Sequence, residues 1–482
     1  MVVCSVSRVR VASTFLAASG LIWPALGMAP PAFAQTGPPS GSPADASPGE
    51  REQEPLSANV EPSGGAEGFW ERDHLLGDLG GLRSQVEAAG IKLGLQEQSE
   101  VLGNPTGGVH QGAIYEGATQ MTLTLDLEKL VGLPGGTFFA SAYQIHGRGL
   151  SADNLHNLNV VSGIEAQRTT RLFELWYEQS LFGDKASVRI GQMAADQEFI
   201  TTQYGGLFIN SGFGWPTLAA SDLLEGGPAY PLATPGVRFK VQPTEAVTAL
   251  LGVFNGNPLD NGSGTSFRVD QGVFVIGELQ YSINQGDGAT GLPGTYKIGA
   301  WYNSNAFPDQ FLASDGLPLA DPASSGQPRM RWNNWSIYAV ADQLVYRVAG
   351  TKDQGLGVFA RLMGAPGDRN LLNFFANAGV TYKGLIPGRE DDTIGLAIAY
   401  AKIGGAASRF DTSSQFFSGS WVPVRRNETV LELTYQYQAA GWWTLQPDFQ
   451  YVFNPGGGVA KPDGTGRIGD AAVLGLRTTI VF

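Results

Sequence analysis

The sequence predicts an all-β fold: a sixteen-stranded antiparallel transmembrane β-barrel with a short N-terminal helix. Segment after segment alternates apolar and polar residues with a period of two, the signature of strands with two unlike faces. The connections between these segments alternate between short and long. Beyond residue 34, no unbroken apolar run reaches the about 18 residues that a membrane-crossing helix needs. Hydrocarbon offers backbone N–H and C=O groups no partners, so a membrane chain without such helices must close its sheet into a barrel.

Residues 1–34 read as an export signal. Arg8 and Arg10 form a positive start, 11–26 is largely apolar, and Ala32-Phe33-Ala34 supplies small residues at a cleavage position. Residues 35–68 are rich in Pro, Gly, Ser, Ala and Glu. They hold too little apolar area to offset the entropy of ordering, which predicts a disordered leader. Over 69–90, Leu75, Leu79, Leu82, Val86 and Ala89 recur at helical spacing, with Asp73 as N-cap and Gly90 as the terminating residue. Gly77, Gly80 and Gly81 weaken this helix from within.

Residues 91–482 form the barrel. Short connections fall at 129–136, 182–186, 242–246, 285–294, 348–355, 384–392 and 439–442. Longer ones, rich in Gly, Pro and Asp, fall at 103–117, 147–170, 199–235, 255–271, 303–334, 364–370, 402–428 and 454–470. Seven short and eight long connections join sixteen strands, the pattern of an up-and-down barrel with short periplasmic turns and long external loops. Both chain ends then emerge in the periplasm.

The strands share a two-faced pattern. Leu123, Leu125 and Leu127 alternate with Thr122, Thr124 and Asp126, and Leu431, Leu433, Tyr435 and Tyr437 with Glu432, Thr434, Gln436 and Gln438. The last strand sets Leu474, Leu476, Thr478 and Ile480 against Gly475, Arg477 and Thr479. It ends on the aromatic Phe482, which is expected to engage the barrel-assembly machinery. A face carrying Asp, Glu and Gln in strand after strand asks for water, so a wet lumen is expected. Two segments resist the pattern: 247–254 is apolar on both faces, and Pro447 removes a ladder donor inside a strand.

Charge and cysteine usage narrow the function. Loss of the signal removes Cys4, the one cysteine, and with it any disulfide or thiolate metal site. It also takes the formal net charge from −13 to −15, which disfavours nucleic acid as a partner. Of the four histidines, His74 belongs to the helix and His110 and His156 to loops, leaving His146 to face the lumen. No Gly-x-Ser-x-Gly elbow, phosphate loop, His-Glu-x-x-His or calcium-loop motif accompanies it. No catalytic residue, metal or cofactor is assigned, and a barrel enzyme or a secreted adhesin are the disfavoured alternatives.

The stretch Phe69-Trp70-Glu71-Arg72-Asp73-His74-Leu75-Leu76-Gly77-Asp78-Leu79 resembles the opening segment of the carbohydrate-selective porin (OprB-type) family. So do Glu174-Leu175-Trp176-Tyr177-Glu178-Gln179, Val188-Arg189-Ile190-Gly191-Gln192 and Phe208-Ile209-Asn210-Ser211-Gly212-Phe213-Gly214. Further on, Tyr230-Pro231-Leu232-Ala233-Thr234-Pro235-Gly236-Val237-Arg238 and Pro447-Asp448-Phe449-Gln450-Tyr451-Val452-Phe453-Asn454-Pro455 are similar too. The resemblance runs from 69 to 482. It implies a sixteen-stranded outer-membrane porin that passes sugars by diffusion, with a general small-solute channel as the alternative.

Sugars present hydroxyls to charged and amide side chains and flat C–H faces to aromatic rings. Strand parity puts Glu174, Trp176 and Glu178 on one face and Phe173, Leu175 and Tyr177 on the other, with Arg189 and Arg238 polar-side on the next strands. The expected sugar-contacting lumen wall is therefore Glu174, Trp176, Glu178, Arg189 and Arg238, with the Trp176 ring as stacking platform. The 199–235 loop carries Phe208, Phe213, Trp215 and Tyr230 and is expected to fold inward as a constriction. A surface loop touching lipopolysaccharide or a neighbouring subunit of a homo-oligomer is the other reading.

Overall fold

The computed structural model describes residues 68–482, except 260, 286–289 and 352. The expected export signal and all but the last residue of the expected leader lie outside the described residues. Sixteen strands form one closed antiparallel barrel in which sequence neighbours are also spatial neighbours. They are β1 (Ile91–Gly108), β2 (Gly112–Asp126), β3 (Gly136–Gly147), β4 (Thr169–Leu181), β5 (Ala186–Met193), β6 (Thr234–Thr244), β7 (Val247–Asn255) and β8 (Val273–Ile283). They continue with β9 (Gly294–Ala313), β10 (Pro328–Arg347), β11 (Gly355–Gly364), β12 (Leu372–Lys383), β13 (Thr393–Ile403), β14 (Asn427–Ala440), β15 (Trp443–Phe453) and β16 (Gly469–Val481). Closure is made by β1 against β16, from Gln96 opposite Val481 to Gly108 opposite Gly469. No sheet edge is thereby left open, which is what lets the barrel cross hydrocarbon.

The connections depart from expectation at the long-loop end. β1 and β2 run on into a hairpin joined by 109–111, and β9 and β10 extend through most of 303–334. At the other end the turns are short, one of them holding the small helix α2 (Leu127–Val131) capped by the Asp126 carboxylate. The N-terminal helix is also shorter than its periodicity suggests. Helix α1 spans only Leu82–Ala88, because Gly80 and Gly81 sit at φ 71° and 91° and break the chain before it. Asp73 caps nothing. Asp78 instead receives the Ser84 N–H and hydroxyl at 2.8 Å each.

Leu93, Ile298, Ile337, Ile398, Leu474 and Leu476 are exposed on the outer face, and Glu100, Glu432, Gln450 and Arg477 are buried on the inner one. This alternation fits lipid outside. His146 is one exception to the expected parity. It lies opposite Gly117 on the outer face, 3.0 Å from the Tyr115 hydroxyl and 3.6 Å from Glu97. Register explains it: Thr124 opposite Phe139 and Gln120 opposite Tyr143 turn the odd residues of β3 inward.

The lumen is narrower than an open polar wall would make it, because two connections fold into the barrel and bury much of that wall. They are residues 148–168 and 194–233, the latter carrying helix α3 (Thr217–Asp222). This accounts for β7: its inward Leu250 and Phe254 pack in one cluster with Phe199 and Ile200 from the 194–233 segment. An apolar inner face is what such a segment needs to dock on.

Candidate functional site

The inner wall holds its inserted segments by carboxylates that accept backbone N–H groups. Glu428 of β14 receives Leu158 N at 2.7 Å, Asn159 N at 2.6 Å, the Asn159 side-chain amide at 2.8 Å and Gly456 N at 2.7 Å. Glu432, four residues on and so on the same face, receives Ile209 N at 2.6 Å and Asn210 N at 3.0 Å. On the far wall, Glu278 of β8 receives Ile200 N at 2.8 Å, and Asp342 of β10 receives the Thr202 hydroxyl at 2.5 Å and Tyr204 N at 3.2 Å. Arg361 of β11 donates to the carbonyls of Ile200, Gly212 and Gly214 at 2.6–3.1 Å. The 194–233 segment is thus tied to strands on both sides of the interior. It is also tied to the 148–168 segment, Ser211 N reaching Val160 O and Gly163 N reaching Ile209 O, both at 2.9 Å.

The aromatic residues expected to narrow the lumen are fully buried. Phe208 packs on Phe213 at 4.9 Å and on the wall residue Phe359 at 5.7 Å. The Trp215 indole N–H donates to Gly226 O at 3.0 Å. Tyr230 meets Tyr143 edge-on at 5.1 Å and donates to Ile164 O at 3.2 Å. These four side chains hold the segment together rather than present rings to an open passage. Burial also acts on the acids within the two segments. It pushes the Asp196 carboxyl up to about 6 against the pull of the Tyr230 N–H, and the Glu165 carboxyl up to about 7 against the N–H groups of Ser151 and Ala152.

Beside this packed half lies a charged ledge made by β4, β5, β6 and the 194–233 segment. Register sets Glu178 opposite Arg189 and Arg189 opposite Arg238. Two arginines facing each other across strands repel. Two acids bridge them: Arg189 reaches Glu178 at 2.6 Å and Glu198 at 3.6 Å, and Arg238 reaches Glu178 at 2.8 Å and Glu198 at 2.7 Å. Arg238 is nearly sealed, its side chain 2% exposed, and also donates to the Ser187 hydroxyl at 2.6 Å. Arg189, Glu178 and Glu198 keep 14%, 17% and 25% of their side chains exposed. They offer donors and acceptors side by side, the arrangement that suits a hydroxyl, which both donates and accepts.

The remaining expected wall residues fall differently. Trp176 points inward beside Glu178, with Phe139 stacked on it at 4.8 Å and the Arg189 guanidinium over it at 3.8 Å. Both groups pack against the ring, so Trp176 supports Arg189 rather than standing free as a stacking platform. Glu174 is buried behind the ledge and accepts Ala194 N at 3.0 Å. A register shift between Ala140 and Ala142 explains this, since it turns Phe173 inward as well, where simple alternation put it outside. Glu198 escaped the sequence reading because it stands in a connection, where strand parity says nothing. The aromatic residues of the 199–235 loop were one signal that a segment must lie there, and the apolar inner face of β7 was another.

A family model described as the carbohydrate-selective porin, OprB family, matches residues 110–482. Porin B of Pseudomonas aeruginosa is 25% identical over 429 residues, covering 85% of this chain and 91% of that protein. The putative porin QuiX of Acinetobacter baylyi is 24% identical over 448 residues, covering 86% of this chain and 95% of that protein. Among solved structures, the high-pH structure of Pseudomonas putida OprB superposes with a TM-score of 0.78 at 25% identity, over 86% of this chain and 100% of that one.

Proposed function

The chain belongs to the carbohydrate-selective porin (OprB) family, and from that premise we propose that sugars diffuse across the outer membrane along the ledge of Glu178, Arg189, Glu198 and Arg238. The carrying observation is that three of these charged groups stay partly exposed beside the inserted segments. Hydroxyls of a passing sugar exchange hydrogen bonds among them, acids accepting and guanidinium N–H groups donating. Each contact replaces one with water, so retention is weak and transit quick. Trp176 acts by holding Arg189 in place, and the segment carrying Phe208, Phe213, Trp215 and Tyr230 is the constriction that forces solutes onto the ledge.

In the same reading the first 34 residues are removed on export, and the short-turn end with both chain ends lies in the periplasm. Phe482 presents the closing strand to the assembly machinery, and the long loops meet lipopolysaccharide. The test is liposome swelling with purified protein, comparing monosaccharides with uncharged non-sugar solutes of equal size. Faster entry of the sugars supports the proposal. Equal rates assign the chain to the general small-solute class.

A further inference from the structure

We propose that the N-terminal segment 69–82 lies in the interface of the periplasmic leaflet, docked on phospholipid as an in-plane strap beside the barrel's closing seam. The segment is fixed to that seam by its polar groups. Leu75 N donates to Val481 O at 2.8 Å, the Arg83 guanidinium to Phe482 O at 2.9 Å, and the Trp442 indole N–H to Phe69 O at 3.1 Å. Its apolar groups point elsewhere. Trp70 is 61% exposed, and Phe69, Leu76, Leu79 and Leu82 each keep about half their surface open.

The occupant follows from continuity with the lipid-facing wall. Trp443 lies opposite Ile480 and donates to the Thr478 hydroxyl at 2.9 Å, which puts it on the outer face shared with Leu474 and Leu476. Trp70 stacks on Trp443 at 6.5 Å and on Trp442 at 6.0 Å, and Phe69 meets Trp442 at 5.1 Å. The exposed rings of the strap therefore extend the outer surface at the level where the short turns end. Indole rings with one polar edge and one apolar body favour the headgroup boundary. The strap mixes Glu71, Asp73 and Asp78 with Arg72, so apolar burial and not headgroup charge drives the contact.

The test uses single cysteines in a Cys4→Ser background, where no other thiol exists. A nitroxide at Leu79→Cys in protein reconstituted into phosphatidylcholine vesicles is compared with Leu93→Cys on the outer wall and Asp315→Cys in a long-loop turn. The expected result is an oxygen-to-nickel-chelate collision ratio at 79 close to that at 93 and several-fold above that at 315. A ratio like that at 315 places the strap in water and overturns the proposal. Protection from both agents means that protein covers it, whether the preceding leader or a second copy, and overturns it equally. Because the readout needs no sugar, its failure leaves the transport reading untouched.

Discussion

Glu428→Ala tests whether buried wall acids, rather than solvated ones, shape the interior. The carboxylate accepts three backbone N–H groups and one side-chain amide, at 2.6–2.8 Å, and is fully buried. A hydrogen bond to a charged acceptor contributes about 1.5–3 kcal/mol net, so four independent bonds would contribute about 6–12 kcal/mol. Bonds sharing one acceptor are not independent, and water entering the space left by the side chain satisfies some donors. A loss of about 3 kcal/mol is the expected remainder, which raises local opening of the 148–168 segment on the order of 100-fold. Hydrogen exchange in detergent reads this directly as lost protection at the amides of Leu158, Asn159 and Gly456. The strand amides of β14 should keep theirs, because the barrel ladder is untouched. Single-channel current should become larger and noisier as the segment leaves the wall. Unchanged protection at Leu158 and Asn159 in a folded variant would refute the anchoring role.

Asp196 gives a pH signature. Its carboxyl is raised to about 6 by burial, so protonation favours the folded segment: the contribution is complete below about pH 4 and is lost as pH rises through 6. Protection factors at the Tyr230 amide, which donates to Asp196 at 2.9 Å, should fall over that window, and Asp196→Asn should remove the fall. Trp176→Ala should act through Arg189 and not through a lost sugar platform. Losing a cation–π contact of about 0.5–2 kcal/mol frees the guanidinium, so reversal potentials should shift toward cations, in the direction of Arg189→Gln but less far. Deleting Phe482, whose N–H pairs with Leu95 O and whose carbonyl accepts Arg83, should prevent accumulation in the outer membrane, measured by fractionation.

The strand count was legible because lipid on one side and a polar interior on the other impose a period of two, and because long and short connections alternate. The same parity placed Trp176, Glu178, Arg189 and Arg238 on one wall, as the register has it. It failed at Phe173, where one shifted residue reverses a face, and at His146, which carries polar character on the outer side. The interior was the illegible part. Glu428 finds three of its four donors about 270 residues away in sequence, and nothing local in a polar strand position separates an acid facing water from one that ties down a loop. The clues lay instead in the aromatic residues of the 199–235 loop and in an apolar strand: Leu250 and Phe254 on the inner face of β7 required a cover, and the 194–233 segment is that cover.

The central claim is that sugars pass the ledge of Glu178, Arg189, Glu198 and Arg238. Planar-bilayer conductance of the purified protein, titrated with a monosaccharide, tests it most directly when wild type is set beside Arg189→Gln. In wild type, sugar should reduce the ion current in a saturable way, since hydroxyls and ions share the ledge. In Arg189→Gln, which keeps one amide donor group of the guanidinium's set, the half-blocking concentration should rise several-fold while the open channel persists. Block of equal strength in both proteins would contradict the account and send the sugar path elsewhere in the barrel.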